Sequence, residues 1–239
     1  GMWNIANEVG DAKIKDPWEK YTSGDKEGGL YAVESWYSWH SRDDYTNNIF
    51  SIRNTYYGRI DDNDVDKVDG NLNAFASYAD FDDAGDIAEK SLSTLVASVN
   101  PELDKKIKTL IFESAKAIQA IPQPFRNSID SKESVAAMDK CMELASALKN
   151  ELLPFVTNEL SDSKYDAQLD AVAEQFVDAV VLPTYKELKE KNTALLESVN
   201  NFRTHPSNEA FEAACSAWIN AREPWEKSEA FLIGPVANK

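Results

Sequence analysis

The sequence is poor in the residues that build metal and redox sites. It contains two cysteines, Cys141 and Cys215, and two histidines, His40 and His205, in 239 residues. It has no His-Glu-x-x-His pair, no paired-cysteine zinc spacing, no Gly-x-Ser-x-Gly and no phosphate-binding glycine loop. Both cysteines lie among apolar neighbours in helical patterns, which predicts buried core residues rather than a disulfide or redox pair. The motifs alone therefore do not predict an enzyme.

Positive charge and long apolar runs are also scarce. The chain has 25 Lys and Arg against 41 Asp and Glu, a formal charge of −16, which disfavours attraction to nucleic-acid phosphates and to anionic membrane surfaces. No run approaches the roughly 18 apolar residues of a spanning helix. Because 43% of the residues are hydrophobic, we expect a folded, soluble chain with no nucleic-acid partner and no transmembrane segment.

Apolar residues recur at helical spacing through most of the chain, and no convincing alternating strand is present. The pattern predicts a helix that follows Pro101, another that begins near Asp130 with Glu133 as its capping partner, and a last helix capped by Ser207. Gly58 is placed to end a helix in a left-handed cap, and Pro154 and Pro183 should bend or end theirs. The fold class predicted is all-α, an antiparallel helical bundle.

Two stretches interrupt this pattern. Residues 11–29 are rich in Gly, Lys, Asp and Pro, which is typical of a loop. Residues 59–86 carry nine aspartates and are functional, mobile or hide a short helix around residues 72–78. If Gly70 were the turn glycine of a calcium-binding EF-hand, Lys67 would stand at a ligand position and Ala76 where a bidentate Glu is required. The spacing therefore favours a solvated acidic loop.

Two segments combine tryptophan, arginine and acidic residues, at positions 34–50 and 217–236. Arg42-Asp43-x-Tyr45 in the first matches Arg222-Glu223-x-Trp225 in the second. Each arginine continues an apolar stripe, so its charge needs a partner. One interpretation is structural, with Arg222 paired to Glu226 or Glu229 and Arg42 paired to Glu34 or Asp43.

The other interpretation is a ligand site in which both arginines converge on one polar cleft. His40 lies within the first segment, where a structural donor is the commoner role, and His205 precedes Pro206 in a connection expected at the surface. The candidate ligand-binding residues are Glu34, Trp39, His40, Arg42, Asp43, Asn47, Arg222, Trp225, Glu226, Ser228 and Glu229.

These segments resemble the imelysin-like family, which is also classed as the M75 peptidase family. Residues 217–236, with Ser228-Glu229-Ala230-Phe231 and Gly234-Pro235, look like the tryptophan-arginine segment near the front of that family. Residues 165–202, with Leu182-Pro183-Thr184-Tyr185, resemble its first long helix, and residues 32–58 and 118–127 resemble its C-terminal half. On this resemblance, residues 1–160 correspond to the C-terminal half and residues 161–239 to the N-terminal part, packed as one or two joined bundles.

The segment order is that of a circular permutation, and the Gly-x-His-x-x-Glu signature of the family's central region is absent from the sequence. The resemblance implies a fold of two related helical parts, a periplasmic or cell-surface location often reached as a lipoprotein, and partners among iron- or haem-uptake components. Iron or another metal as cofactor is implied by the resemblance only. The missing signature counts against metal binding and against peptidase activity.

Three functions follow, and the sequence leaves them open. The first is a non-enzymatic envelope binding protein for iron or haem acquisition, with its cleft between the two halves. The second is a helical scaffold whose arginine-tryptophan segments only hold the halves together. The third, a metallopeptidase, would need a metal-activated water and usually three protein ligands, which two separated histidines do not supply.

Overall fold

The computed structural model describes residues 1–60, 72, 75, 77–78 and 86–233, and these residues form helices, turns and no strand. Most of the acidic stretch lies outside the described residues, as do residues 73, 74 and 76 of the short helix expected at residues 72–78. The predicted all-α bundle is confirmed. The elements are α1 (Met2–Asn7), a π-helical segment (Glu8–Lys15), α2 (Asp16–Thr22), α3 (Lys26–Ala32), α4 (Ser41–Tyr57), α5 (Leu92–Val99), α6 (Pro101–Gln119), α7 (Lys132–Ala147), a π-helical segment (Leu148–Leu152), α8 (Leu153–Asn158), α9 (Asp166–Phe176), a π-helical segment (Val177–Val181), α10 (Leu182–Thr204) and α11 (Asn208–Glu226), with short 3₁₀ turns at Phe125–Asn127, Ser163–Tyr165 and Glu229–Phe231.

Helix α4 forms the centre of the bundle. Tyr45, Ile49, Ile52 and Tyr56, the apolar stripe read from the sequence, are fully buried, and α1, α6, α11 and the last 3₁₀ turn all contact this helix. Its polar residues are buried as well, among them Asp44, Asn48 and Arg53. A polar side chain buried on a central helix needs an internal partner, and that requirement determines where the charged residues of this protein meet.

Each of the three π-helical segments ends two residues before a proline. The prolines are Pro17, Pro154 and Pro183, and in each case the helix continues through the proline. A proline lacks the amide hydrogen and its ring presses on the carbonyl four residues earlier, and a wider turn just before it makes room for both. The expected bend therefore takes this form, and the chain stays helical.

The loop predicted for residues 11–29 is wrong. The π-helical segment, α2 and α3 occupy this stretch, with Gly10, Lys13 and Ile14 buried. The π-helical segment packs against α7, and α2, which carries Pro17, packs against α3, which carries Gly28 and Gly29. This tertiary packing outweighs the low helix propensity of proline and glycine.

Helix ends follow local side-chain chemistry. The Ser207 side chain accepts from the Ala210 amide at 3.1 Å, as predicted. Helix α7 begins one residue later than predicted, because Ser131 rather than Asp130 accepts from the Ser134 amide, also at 3.1 Å. Gly58 ends α4 with φ at +71°, which confirms the left-handed cap.

Helices α10 and α11 form a hairpin that extends from the bundle. They contact each other along their length, and α10 has one buried residue, Thr184. Cys215 on α11 is exposed, whereas Cys141 on α7 is fully buried, and both are free. The prediction of a buried Cys215 is therefore wrong, because the described part of the chain places nothing over that side of α11.

Candidate functional site

Charged residues from four parts of the chain meet where α11 crosses α4. Arg222 and Glu226 are one turn apart on α11, and Asp44 and Asn48 are one turn apart on α4. Glu34 comes from the connection between α3 and α4, and Lys13 from the first π-helical segment. Because α4 is buried on nearly all sides, these groups are held largely away from water. The charge cluster comprises Lys13, Glu34, Asp44, Asn48, Arg222 and Glu226.

Arg222 joins the two tryptophan-arginine segments. Its Nη2 lies 2.9 Å from Asp44 Oδ2, 3.6 Å from Glu34 Oε1 and 3.2 Å from Ser35 Oγ. The same nitrogen contacts Glu226 Oε1, as the structural interpretation predicted. That contact lacks hydrogen-bond geometry, and Glu226 Oε1 has no other hydrogen-bond partner. A single guanidinium thus serves three carboxylates.

Lys13 supplies the second cation of the charge cluster. Its Nζ lies 2.9 Å from Glu34 Oε2 and donates to Asn48 Oδ1 at 2.9 Å. Asn48 in turn donates from Nδ2 to Glu226 Oε2 at 2.8 Å. Burial opposes the charge of Lys13, but Glu34 and Glu226 outweigh it and raise the pKa of the ammonium group. The lysine is 6% exposed and stays charged.

The charge cluster contains three carboxylates and two cations. Burial first, and the neighbouring Asp44 second, raise the pKa of Glu226 to about 7, against the opposing effect of Lys13 and Arg222. Burial also raises the pKa of Asp44, with Arg222 opposing. A buried charge without its own counterion is costly. Among the three carboxylates, Glu226 is therefore the one we expect to take up a proton as the pH falls through about 7.

The charge cluster borders a groove between α10 and α11. The groove has a volume of about 240 Å³, and the Arg222 guanidinium lies 5.5 Å from the ring of Trp218 at one side of it. Arg222 is the cluster residue that lines the groove, while the Glu34 side chain is 41% exposed. The lining residues are Leu188, Asn192, Leu195, Trp218, Ala221, Arg222 and Trp225.

The connection that carries Glu34 is conformationally strained. Ser35 and Trp39 have φ values of +57° and +63°, a region that non-glycine residues rarely adopt and that often marks functional sites. Trp39 is 60% exposed, and the neighbouring Tyr37 ring lies 6.1 Å from that of Trp218 across the segment junction. The strained connection thus places the Tyr37 ring beside Trp218, which lines the groove.

Arg42 makes its contacts elsewhere. Its Nε lies 3.4 Å from Asp43 Oδ1, one of the predicted pairings, and its Nη1 donates to the carbonyls of Gln119 and Ile121 at 3.2 and 3.4 Å. These carbonyls end α6, where a cation is favourable. His40 Nδ1 lies 3.1 Å from Asp43 Oδ2, and this hydrogen bond raises the pKa of the imidazole. The two arginines therefore have separate sets of partners.

The remaining predicted site residues surround the cluster or support it. Asn47 is buried with no partner for its Oδ1, and Ser228 donates to the Trp225 carbonyl at 2.7 Å. Trp225 lines the groove. Burial raises the pKa of Glu229, with Lys13 opposing. Among the described contacts, Asn47, Ser228 and Glu229 make no hydrogen bond or ion pair with Arg222.

Sequence reasoning missed Lys13, Asp44 and Asn48. Lys13 lay in a stretch predicted to be a loop, so nothing suggested that it was buried. Asp44 and Asn48 carried a usable signal, since polar residues four apart on an apolar helix share one face. The sequence alone does not show that α4 is buried on nearly all sides. Without that knowledge, two polar residues on one face of a helix indicate a solvent-exposed face equally well.

The charge cluster does not fit a metal site. No group of three or more His, Cys, Asp or Glu side chains among the described residues could hold a metal ion. The cluster carboxylates already face Arg222 and Lys13, whose positive charges occupy the positions that a cation would need.

Comparison with known proteins identifies the family. The sequence profile of the M75 peptidase family, imelysin, matches residues 1–152 and 181–239. This chain belongs to the imelysin family. An imelysin peptidase from Bacteroides ovatus has a solved structure that matches 98% of this chain with a TM-score of 0.85 and 57% identity. A precursor of iron-regulated protein A from Parabacteroides distasonis matches 62% with a TM-score of 0.50 and 36% identity.

A curated relative is also similar over a short region. Iron-regulated protein A from Synechococcus elongatus is 38% identical over 61 residues, which is 26% of this chain and 17% of that protein. The chain spans 60% of the Bacteroides and 37% of the Parabacteroides chains. No helix among the described residues is long and apolar enough to cross a membrane. The permuted order and the boundary near residue 160 stay predictions.

Proposed function

We propose that this imelysin-family chain is a non-enzymatic binding protein of the bacterial envelope that serves iron acquisition. Its ligand site is the groove between α10 and α11 beside the charge cluster. The observation that carries the proposal is the position of Arg222, which lines the groove and also joins three carboxylates from two distant segments. The names of two relatives, both iron-regulated protein A, support the link to iron.

The chemistry of the groove favours an iron-bearing ligand over a bare resident metal. The described residues contain no cluster of side chains that could coordinate a metal ion. The groove is instead lined by the indole rings of Trp218 and Trp225 and by apolar side chains of α10. The half-exposed carboxylate of Glu34, which lies 3.6 Å from Arg222, favours positive charge on the ligand. A hydrated iron ion, an iron chelate and haem differ in charge and in apolar surface. Each is therefore tested separately.

Titration calorimetry with iron salts, an iron chelate and haem tests the proposal. The Glu34→Gln variant removes a half-exposed carboxylate 3.6 Å from Arg222, the cluster residue that lines the groove, and should weaken binding by about tenfold, the size of a lost charged hydrogen bond. Glu151→Gln is the matched control, because Glu151 is 43% exposed and paired with Lys106 but lies far from the cluster in the fold. Wild-type protein that gives no heat with any of the three ligands rejects the proposal.

The second candidate is a helical scaffold, and the contacts of Arg222 Nη2 with three internal carboxylates favour it. Arg222→Ala leaves Asp44 and Glu226 buried without their cation, which should cost about 3 kcal/mol of unfolding free energy. In a scaffold, this loss would accompany unchanged ligand titrations. A metallopeptidase would instead show proteolysis of an unfolded substrate that a chelator abolishes.

A further inference from the structure

Arg222 has hydrogen-bonding capacity that the charge cluster does not use. Its Nη2 donates to Asp44 and Ser35 and makes the other carboxylate contacts of the side chain. Its Nε is buried and has no hydrogen-bond partner. Its Nη1 is not buried, and it donates no hydrogen bond to any residue that the structure describes. Because Arg222 lines the groove, Nη1 is the donor that a ligand there can reach.

The facing wall of the groove supplies a hydrogen-bond acceptor. Asn192 lines the groove from α10, and its Nδ2 donates to the Leu188 carbonyl at 2.8 Å. This bond orients the side-chain amide, and Oδ1 accepts no hydrogen bond within the described part of the chain. The groove thus presents a donor on α11 and an acceptor on α10. A ligand amide carries the complementary pair, an oxygen that accepts and an N–H that donates.

The charges around Arg222 determine which kind of oxygen can bind to it. Glu8 lies 3.7 Å from Lys13, and Glu229 also acts on both cations of the charge cluster. Five carboxylates thus surround two cations, and they are Glu8, Glu34, Asp44, Glu226 and Glu229. A ligand carboxylate at Nη1 would approach Glu34, which contacts the same planar guanidinium and is half-exposed. Like charges brought together lower affinity, whereas an uncharged oxygen meets no such repulsion.

We propose that Arg222 Nη1 recognises an uncharged carbonyl-type oxygen of an iron chelate, and that the groove disfavours chelates that present a carboxylate there. This inference rests on the proposed function and adds the ligand class, a chelate with amide or hydroxamate groups and no free carboxylate. The groove of about 240 Å³ is smaller than the roughly 300–1,000 Å³ of sites that enclose a drug-sized ligand. It therefore takes one arm of the chelate, in contact with Leu188, Leu195 and Trp218.

Titration calorimetry with two ferric complexes that differ only in one arm tests the ligand class. The probes are N-acetyl ferrioxamine B, whose arm ends in a neutral amide, and N-succinyl ferrioxamine B, whose arm ends in a carboxylate. The hydroxamate-bound iron is the same in both, so a difference in affinity reports the end of the arm. The N-acetyl complex should bind the intact chain at least about tenfold more tightly than the N-succinyl complex.

Arg222→Lys tests the role of Nη1. Lysine keeps a positive charge beside Asp44 and Glu226 but lacks the second terminal nitrogen, so affinity for the N-acetyl complex should fall by about tenfold. Arg126→Lys is the matched control. The Arg126 guanidinium also lies over an indole ring, 5.3 Å from that of Trp36, and donates to the Trp36 carbonyl at 3.0 Å. Because Arg126 lies outside the groove, its replacement should leave both affinities unchanged.

Glu34→Gln provides a second test that does not depend on the folding of Arg222→Lys. It removes the repelling carboxylate, so it should bring the affinities of the two complexes closer together. The inference is overturned if the wild type binds both complexes equally, if Arg222→Lys and Arg126→Lys bind alike, or if Glu34→Gln keeps the full preference. Heat with haem or iron salts and none with either complex overturns it and leaves the proposed function standing. No heat with any ligand rejects both.

Discussion

At the scale of single residues, the proton on Glu226 gives the protein a measurable pH dependence. The folded pKa of about 7 exceeds the ordinary 4.5, so between these values the folded state holds a proton that the unfolded state has lost. The stability from this group is present in full below about pH 4.5 and is lost as the pH rises through about 7. Glu226→Gln mimics the protonated side chain. As the pH rises from about 5 to 8, the free energy of unfolding of Glu226→Gln should increase relative to that of wild type by up to about 3 kcal/mol. Urea unfolding measures this difference.

Glu151→Gln serves as the control for this measurement, because it makes the same substitution at a carboxylate that is exposed and paired with Lys106. A constant difference for Glu226→Gln would show instead that Glu226 is ionised throughout. The excess carboxylate of the charge cluster would then be neutralised by another route, such as protonation of Asp44.

Residue-scale contacts were predictable where one helix contains both partners. Arg222 and Glu226 are four apart on α11, and helix geometry alone brings such side chains together. The contact between Arg222 and Asp44 joins residues 178 positions apart. It depends on how α11 crosses α4, which apolar periodicity does not determine. The same reason applies to Lys13, whose burial follows from the packing of its segment against α7.

At the scale of elements, the end of α4 depends on a glycine whose replacement by another residue should lower the free energy of unfolding. Gly58 has φ at +71°, and a Cβ there would lie 3.0 Å from Ser91 Cβ. Gly58→Ala should therefore lower the unfolding free energy by about 1–2 kcal/mol from the left-handed conformation alone, and the contact with Ser91 adds to this. Urea unfolding measures the change. Gly24→Ala is the control for backbone strain alone, since φ is +107° there and a Cβ would meet nothing within 4 Å. A Gly58→Ala protein as stable as wild type contradicts the prediction.

Elements were predictable where the local sequence determines them. Ser207 and Gly58 act within a few residues, so the helix ends they make could be read directly. Pro17 misled the interpretation of residues 11–29, because proline and glycine usually mark a loop. A π-helical segment ahead of Pro17 keeps the helix intact there, and α7, which packs against this segment, lies far away in sequence.

At the scale of the whole molecule, the all-α class followed from periodicity, but the periodicity of α10 and α11 predicted more burial than the chain supplies. Phe211 and Cys215 lie on the apolar stripe of α11, and both are exposed. An apolar stripe indicates that a face will be covered and does not identify what covers it.

The net charge of −16 makes a prediction for the whole molecule. Excess charge of one sign destabilises a compact state by self-repulsion, and raising the ionic strength from about 0.01 to 0.3 M shortens the Debye length from about 30 Å to below 10 Å. We expect added NaCl to raise the melting temperature by a few degrees, because each kcal/mol corresponds to about 2–4 °C in a chain of this size. The melting temperature of Glu226→Gln should rise with NaCl as much as that of wild type, because Glu226 is buried and salt screens a buried charge only weakly. A melting temperature that falls with salt would mean that surface ion pairs such as Lys106–Glu151 outweigh the repulsion.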